Sequence, residues 1–317
     1  MPRTLLTGAN GFVGKILCSK LQQAGHHVIA LSTGDSDTSM ADEKLVCDIR
    51  DYDQLKEAIA LSKPEHVIHL AAISNVAVSF KDPLLTWQTN VMGSLNLLEA
   101  LREEAPQAFV LFASSSEVYG EAFKAGVPLS EDAPCIPMNP YAASKLAAEA
   151  AFNQAFRQGM AGVIVRPFNH IGIGQSPDFV TASFARQIAL IEAGLQSPQL
   201  KVGNLQAERD FLDVHDVCDA YVRVLQLVSS EGYPKVLNIS SGEPRKIQTV
   251  LDTLLNLSHQ TIEVVQDPER MRPSDIPSAS GDSAAIRELT GWAPRIDLRN
   301  TLQELLNHWR AVTKVAR

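Results

Sequence analysis

Three glycines at a three-residue spacing, Gly8, Gly11 and Gly14, separate a short apolar run, Arg3-Thr4-Leu5-Leu6-Thr7, from a helical stretch, Lys15 to Ala24. A second strand follows at His27 to Leu31, so the order is strand, glycine turn, helix, strand, the opening of a parallel βαβ unit. Glycines at these points allow a tight turn, close approach of the backbone to a pyrophosphate and close helix packing, with phosphates at the positive end of the helix. An ordinary βα turn has no need of three. The turn therefore predicts dinucleotide binding by Gly8, Asn10, Gly11, Phe12, Val13 and Gly14.

Further along, the ends of the next strands continue the same crevice. The second strand ends in Ser32-Thr33-Gly34, with Asp35 too late to serve as the acidic ribose ligand of an NAD site. A neutral end with no arginine after it leaves NADPH and NADH both open. Asp48 and Ile49, at the third strand end, are placed to bond the adenine amino group and to cover its ring. The run Val67 to Ala72 is the fourth strand, and small Ala71 and Ala72 beside Leu70 leave room for a cofactor. His69 lies within that apolar run and reads as a satisfied core histidine. A helix from Pro83 to Leu101 carries Asn90 on an apolar side, where a buried amide ties neighbouring backbone groups beside the cofactor face.

The chemistry is concentrated after the fifth strand. Ala108 to Ala113 is an apolar run that delivers Ser114-Ser115-Ser116 to its carboxyl end, where open α/β sheets keep their ligands. Asn139 then caps a helix with Pro140 in its first position, so Tyr141 falls in the first turn and Lys145 lies one turn on, on the same face. A phenol is a poor acid–base group at neutral pH until a cation stabilises its phenolate. At about 4.5 Å and an effective dielectric of about 20, the ammonium is worth roughly 3 to 4 kcal/mol, or two to three pKa units. The sequence thus predicts that Lys145 acidifies Tyr141.

Composition excludes several function classes. The 317 residues, 45% hydrophobic, suit one large α/β domain with a smaller lobe, and no apolar run reaches the roughly 18 residues of a membrane span. A formal charge of -8 disfavours nucleic acid as a partner. Cys18, Cys47, Cys135 and Cys218 lie far apart without C-x-x-C spacing, so neither a metal cluster nor a disulfide framework is expected. With no charged-then-apolar leader at the amino terminus, cytoplasm is the default.

The second half supplies a ligand-facing lobe. Val163 to Phe168 is another buried strand opening into Asn169-His170-Ile171-Gly172-Ile173-Gly174-Gln175, where backbone can wrap a ligand. A helix from Phe179 to Ala193, a strand-like Leu200 to Leu205 and Arg209 follow, and a guanidinium beside a strand is a good clamp for diphosphate. Asp213 to Val228 forms a helix that returns to the main sheet, followed by a strand at Val236 to Ile239. Asp267 to Pro277 is a proline-rich loop with Arg270 and Arg272, suited to close over a nucleotide. The expected division is residues 1–166 with about 210–240 for the dinucleotide domain, about 167–209 and 241–312 for the lobe, and a tail at 313–317.

Taken in order, Gly8-x-x-Gly11-x-x-Gly14, Asp48-Ile49, Leu70-Ala71-Ala72, Asn90-Val91-x-Gly93, Ser114 to Gly120 and Tyr141-x-x-x-Lys145 resemble the extended short-chain dehydrogenase/reductases that act on nucleotide sugars. The resemblance implies a Rossmann-type doubly wound parallel sheet of about seven strands with a smaller α/β substrate-binding lobe, and bound NADPH or NADH. It implies that Ser115 holds the sugar oxygen, that Tyr141 exchanges its proton and that Lys145 orders the nicotinamide ribose. Glu117 stands where the dehydratases of the family keep a proton-transferring carboxylate. The stretch Arg166 to Gln175, with Phe179-Val180, Val202 to Leu205 and Arg209-Asp210-Phe211, is similar to members that handle GDP-linked deoxyhexoses. By that likeness Ser74, Ser115, Glu117, Asn169, Val180, Lys201, Arg209 and Arg270 form the substrate group. Reduction of a C4 ketone is the expected reaction, with dehydration or C4 epimerisation, and a non-catalytic NAD(P)-sensing role, as alternatives. The resemblance also implies a homodimer through helices Leu84 to Arg102 and Tyr141 to Arg157, while cysteine spacing, charge and hydropathy argue against a metal, nucleic acid or membrane partner.

Overall fold

A computed structural model describes residues 1–34, 40–229, 232–233, 235–270 and 276–315. In the first half the elements are β1 (Arg3–Thr7), α1 (Phe12–Gln23), β2 (His27–Ser32), β3 (Glu43–Val46), α2 (Tyr52–Ser62), β4 (His66–His69), α3 (Val76–Lys81), α4 (Pro83–Trp87), α5 (Gly93–Glu104), β5 (Phe109–Ala113) and α6 (Pro140–Arg157). The second half adds β6 (Gly162–Pro167), β7 (Asn169–Ile171), α7 (Val180–Glu192), β8 (Gln199–Val202), β9 (Glu208–Asp213), α8 (Val214–Val224), β10 (Val236–Ile239), β11 (Pro244–Lys246), α9 (Ile247–Asn256), β12 (Glu263–Gln266), β13 (Ser278–Ala279), α10 (Ala284–Thr290) and α11 (Leu298–Val315).

Seven parallel strands form the main sheet in the order β3-β2-β1-β4-β5-β6-β10. Strands covered on both faces must be apolar at every position, and β5 (Phe-Val-Leu-Phe-Ala) is buried throughout. Alternate residues face opposite layers. Leu6, Ile68, Leu111 and Val163 pack with Leu17 and Leu21 of α1 and Val217 and Tyr221 of α8. Leu5, Val67, Val110, Phe112 and Ile164 pack with Leu55 and Ile59 of α2, Leu97 and Leu101 of α5, and Phe152 of α6. Strand order reverses between β1 and β4, which opens a crevice at their carboxyl ends, the usual ligand position in this architecture.

The smaller lobe holds β9 flanked by β11 and β13, with β7 also on β9, and a separate β8–β12 pair. Its core is formed by α7, α9 and α11 around Phe184, Ile188, Leu251, Leu302 and Leu306. All of β9 belongs to the lobe sheet, so the lobe runs a few residues past the expected boundary at about 210, and α8, the helix expected to return to the main sheet, does so from Asp213, whose carboxylate caps it by accepting from the His215 amide at 2.7 Å. Ile286 of α10 and Trp292 pack on the main sheet's first layer, so this stretch lies with the dinucleotide domain although it follows the lobe in sequence. The expected helix over Pro83 to Leu101 is α4 and α5 joined by one π turn, Gln88–Met92, centred on Asn90.

Candidate active site

The glycine turn sits at the mouth of the crevice. Gly8 has φ +70°, and a Cβ there would come within 2.9 Å of the Ala71 amide nitrogen; a Cβ on Gly14 would overlap the Gly8 carbonyl oxygen. Gly11 opens α1 with no side-chain cap, so the first-turn N–H groups face the crevice with the positive end of the helix behind them. An uncapped helix start behind a turn too tight for any side chain fits a pyrophosphate, and hence a dinucleotide. Leu70, Ala71 and Ala72 lie just past β4, half-buried, with the Ala71 amide donating to Thr7 Oγ1 at 3.1 Å.

Several residues assigned to the cofactor are placed otherwise. Ile49 is 3% exposed and packs its Cδ1 2.6 Å from where a Gly93 Cβ would stand, so it belongs to the core and cannot cover an adenine ring. Asn90 is buried: its amide oxygen accepts from the Ile73 amide at 2.8 Å, and its nitrogen donates to the Ile73 carbonyl at 3.1 Å and Ser144 Oγ at 2.9 Å. It joins the floor of the crevice to α6, the tie between neighbouring backbone groups expected of a buried amide there. Asp48 is gripped by the Arg50 guanidinium, Nε at 3.0 Å and Nη2 at 2.5 Å, which holds its carboxyl below the usual range. Ser32 donates to the Gly34 carbonyl at 3.0 Å. Asp35 lies outside the described residues.

The end of β5 and the start of α6 meet residue by residue. Asn139 caps α6 by accepting from the Ala142 amide at 2.8 Å, and Pro140 takes the first turn, which aims Tyr141 and Lys145 at the strand end. Lys145 Nζ donates to the Ala113 carbonyl at 2.7 Å and lies 4.9 Å over the Phe112 ring. Ser114 Oγ donates to Glu149 Oε1 at 2.5 Å, and Tyr141 is hydrogen-bonded to Ser115. Phenol, hydroxyl and amine are thus gathered on one buried wall.

Their electrostatics overturn the expectation that Lys145 acidifies Tyr141. Burial pushes the Tyr141 phenol up to about 12, with the Ser115 hydrogen bond opposing and Glu117 adding to the rise. Burial likewise lowers the Lys145 amine to about 7, with Glu149 opposing. Desolvation penalises the charged form of each group, and the ammonium is directed at the Ala113 carbonyl. The result is a phenol that keeps its proton at neutral pH beside an amine that titrates near neutrality. His69 is a neutral core residue, bonded to Thr7 Oγ1 at 2.7 Å and Ser94 Oγ at 3.1 Å, with burial lowering it to about 3.

Across the crevice, the residues expected to hold substrate are brought together in part. Asn139 Nδ2 donates to Glu117 Oε2 at 3.1 Å, and Glu117 in turn opposes the lowering that burial imposes on Arg209. Arg209 reaches from β9 of the lobe, donating to the Glu208 and Ile276 carbonyls at 2.7 and 3.3 Å. Lys201 and Arg270 converge on Asp267 at 3.7 and 3.6 Å, and Arg270 also donates to Ser183 Oγ at 3.0 Å. Asn169 is exposed at the start of β7, Val180 is half-buried at the start of α7, and Ser74 is exposed just ahead of α3. Residues 271–275, with Arg272, lie outside the described residues.

Sequence reasoning missed Glu149, His170 and the second role of Asn139, whose capping of α6 was legible. Glu149 forms a buried forked pair with Arg166, at 3.0 Å (Nε to Oε1) and 2.7 Å (Nη2 to Oε2). Asn139 serves both as helix cap and as donor to Glu117. His170 stacks on Phe12 at 5.9 Å and 9° between planes, linking the lobe to the glycine turn. The periodicity of α6 carried a signal for Glu149, one turn beyond Lys145 on the same face. Among the described residues, no group of three or more His, Cys, Asp or Glu is arranged to hold a metal, and all four cysteines are free thiols.

Residues 5–305 match the model of the GDP-mannose 4,6 dehydratase family. A GDP-6-deoxy-D-mannose reductase of Pseudomonas aeruginosa is 39% identical over 310 residues, 98% of this chain and 97% of that protein. The structure of RMD from Pseudomonas aeruginosa complexed with NADPH superposes with a TM-score of 0.86 at 37% identity, covering 98% of this chain and 100% of that one. A UDP-glucose-4-epimerase of Stenotrophomonas maltophila, solved with bound NAD, gives 0.88 at 27% identity over 99% and 100%.

Proposed function

The chain belongs to the GDP-mannose 4,6 dehydratase family, and on that footing we propose that it is an NAD(P)H-dependent reductase of the C4 ketone of GDP-4-keto-6-deoxy-D-mannose, yielding GDP-D-rhamnose. The observation that carries this reading is full-length similarity to a GDP-6-deoxy-D-mannose reductase combined with the buried Ser115, Tyr141 and Lys145 wall. When bound at the glycine turn, the reduced nicotinamide supplies the hydride. Ser115 and Tyr141 hold the ketone oxygen between two hydroxyls. Tyr141, protonated at neutral pH, gives that oxygen its proton as charge develops on it, and Lys145, titrating near pH 7, helps restore the phenol. Arg209 and the Lys201–Arg270 pair present cations to the substrate diphosphate.

Purified protein incubated with GDP-4-keto-6-deoxymannose and either NADPH or NADH should consume one equivalent of cofactor per ketone. Absence of consumption with both would defeat the assignment. One observation favours a second reading: Glu117, held by Asn139 and acting on Arg209, is a carboxylate two residues beyond Ser115 that could transfer a proton in dehydration. Cofactor that co-purifies and shows no net consumption while GDP-mannose loses water would select it.

The proposal includes a homodimer. Phe80, Leu84, Trp87, Met92 and Leu95 expose large apolar groups along α3 to α5, with Phe80 62% and Leu84 75% accessible. Such a stripe is unusual on a monomer's surface. Cytoplasmic location is part of the same proposal, supported by four unpaired thiols; among the described residues, no helix is long and apolar enough to cross a membrane.

A further inference from the structure

Three consecutive residues at the end of β5 each engage one of three residues on a single face of α6. Lys145 donates to the Ala113 carbonyl, Ser114 donates to Glu149, and Ser115 is bonded to Tyr141. The helix positions are 141, 145 and 149, one turn apart, so α6 is laced to the strand end in a fixed register. The Glu149 end of this lacing continues inward. Arg166 of β6 pairs with Glu149, donates to the Glu131 carbonyl at 3.2 Å and lies 4.8 Å over the Tyr119 ring. Tyr119 donates to Asn238 Oδ1 on β10 at 2.7 Å.

Burying two charges rarely stabilises a fold more than apolar residues of similar volume would. A forked pair with both partners almost fully buried therefore calls for a reason other than stability. The groups facing Lys145 supply one. His69 of β4 is neutral, Tyr141 is neutral, the Phe112 ring and Ala113 carbonyl are uncharged, and Glu117 acts on Tyr141. Glu149 is the carboxylate whose charge favours the ammonium form, and Arg166 and Ser114 hold it in place.

We propose that Glu149 is a positioning residue of the active site: held by Ser114 and Arg166, it sets the register of α6 on the strand end and with it the place of Lys145 at the Ala113 carbonyl. Its effect on turnover rests on the reductase reading above, whereas its effect on Lys145 does not. In cofactor-free protein isotope-labelled at lysine Cε, the Lys145 signal is identified by its loss in Lys145→Met and titrated by NMR. Glu149→Gln should move that titration, and the alkaline limb of the kcat–pH profile, downward by roughly one pH unit, with KM little changed. The double variant Glu149→Met/Arg166→Met removes both buried charges; it should recover thermal stability relative to the single variant while Lys145 still titrates low. If Glu149→Gln fails to fold, the double variant alone carries the test. A wild-type Lys145 titration in the double variant would overturn the proposal and leave Glu149 a structural residue. Because the titration needs no substrate, it decides the matter whether or not the wild-type protein reduces the ketone.

Discussion

At the scale of single residues, burial decides the chemistry more than pairwise attraction does. A Coulombic estimate from the Tyr141–Lys145 spacing gave the wrong sign for the phenol, because the spacing cannot report that both groups leave water when the helix docks. The same physics gives His69 a testable signature. Its folded-state pKa, about 3, lies below the unfolded value near 6.5. Below that unfolded value the unfolded chain takes up a proton that the folded one refuses, so stability falls with decreasing pH from about 6.5 toward 3. His26 and His66 are lowered too, and act in the same direction. Thermal melts between pH 7.5 and 4 should show this decline, with a shallower slope in His69→Asn. An unchanged slope in that variant would remove His69 from the explanation. The grouping of Ser115, Tyr141 and Lys145 was legible in sequence because strand end, cap and helix turn are local signals, and so was the buried backbone tie of Asn90; Ile49 was misplaced because its partner, Gly93, is distant in the chain.

Among elements, α6 organises the site, and its start is the sensitive point. Asn139 both caps the helix and donates to Glu117. Asn139→Ala should cost about 1 kcal/mol of stability in chemical denaturation. Asn139→Ser, which retains a capping oxygen, should recover most of that stability; if both variants lose equally, the cap is not what Asn139 contributes. The glycine turn makes a second prediction. A Cβ at position 14 meets the Gly8 carbonyl, so Gly14→Ala should weaken NADPH binding at least tenfold, measured by calorimetry, through displacement of the backbone that receives the pyrophosphate. Six strands of the main sheet were readable from their apolar runs, and the third from its end. The helix that returns from Asp213 was readable too, but the place of the last β9 residues in the lobe was not, since an amphipathic strand pairs wherever the sheet edge it meets allows.

For the molecule as a whole, function depends on two lobes meeting over one crevice. The Phe12–His170 stack and the Glu117–Arg209 interaction cross that boundary, and neither is visible in a one-dimensional pattern. The exposed apolar stripe on α3 to α5 is the surface on which the proposed homodimer rests. Leu84→Glu should shift the protein toward monomer in light scattering while leaving its circular dichroism unchanged; a wild-type monomer at micromolar concentration would remove the dimer from the proposal. The most direct test of the reductase assignment is a single-turnover comparison of wild type and Tyr141→Phe, each preloaded with NADPH and mixed with GDP-4-keto-6-deoxymannose. Loss of the phenolic proton should slow ketone reduction by roughly a hundredfold or more while NADPH affinity is retained. Equal rates in the two proteins would contradict the role given to Tyr141, and with it the central claim.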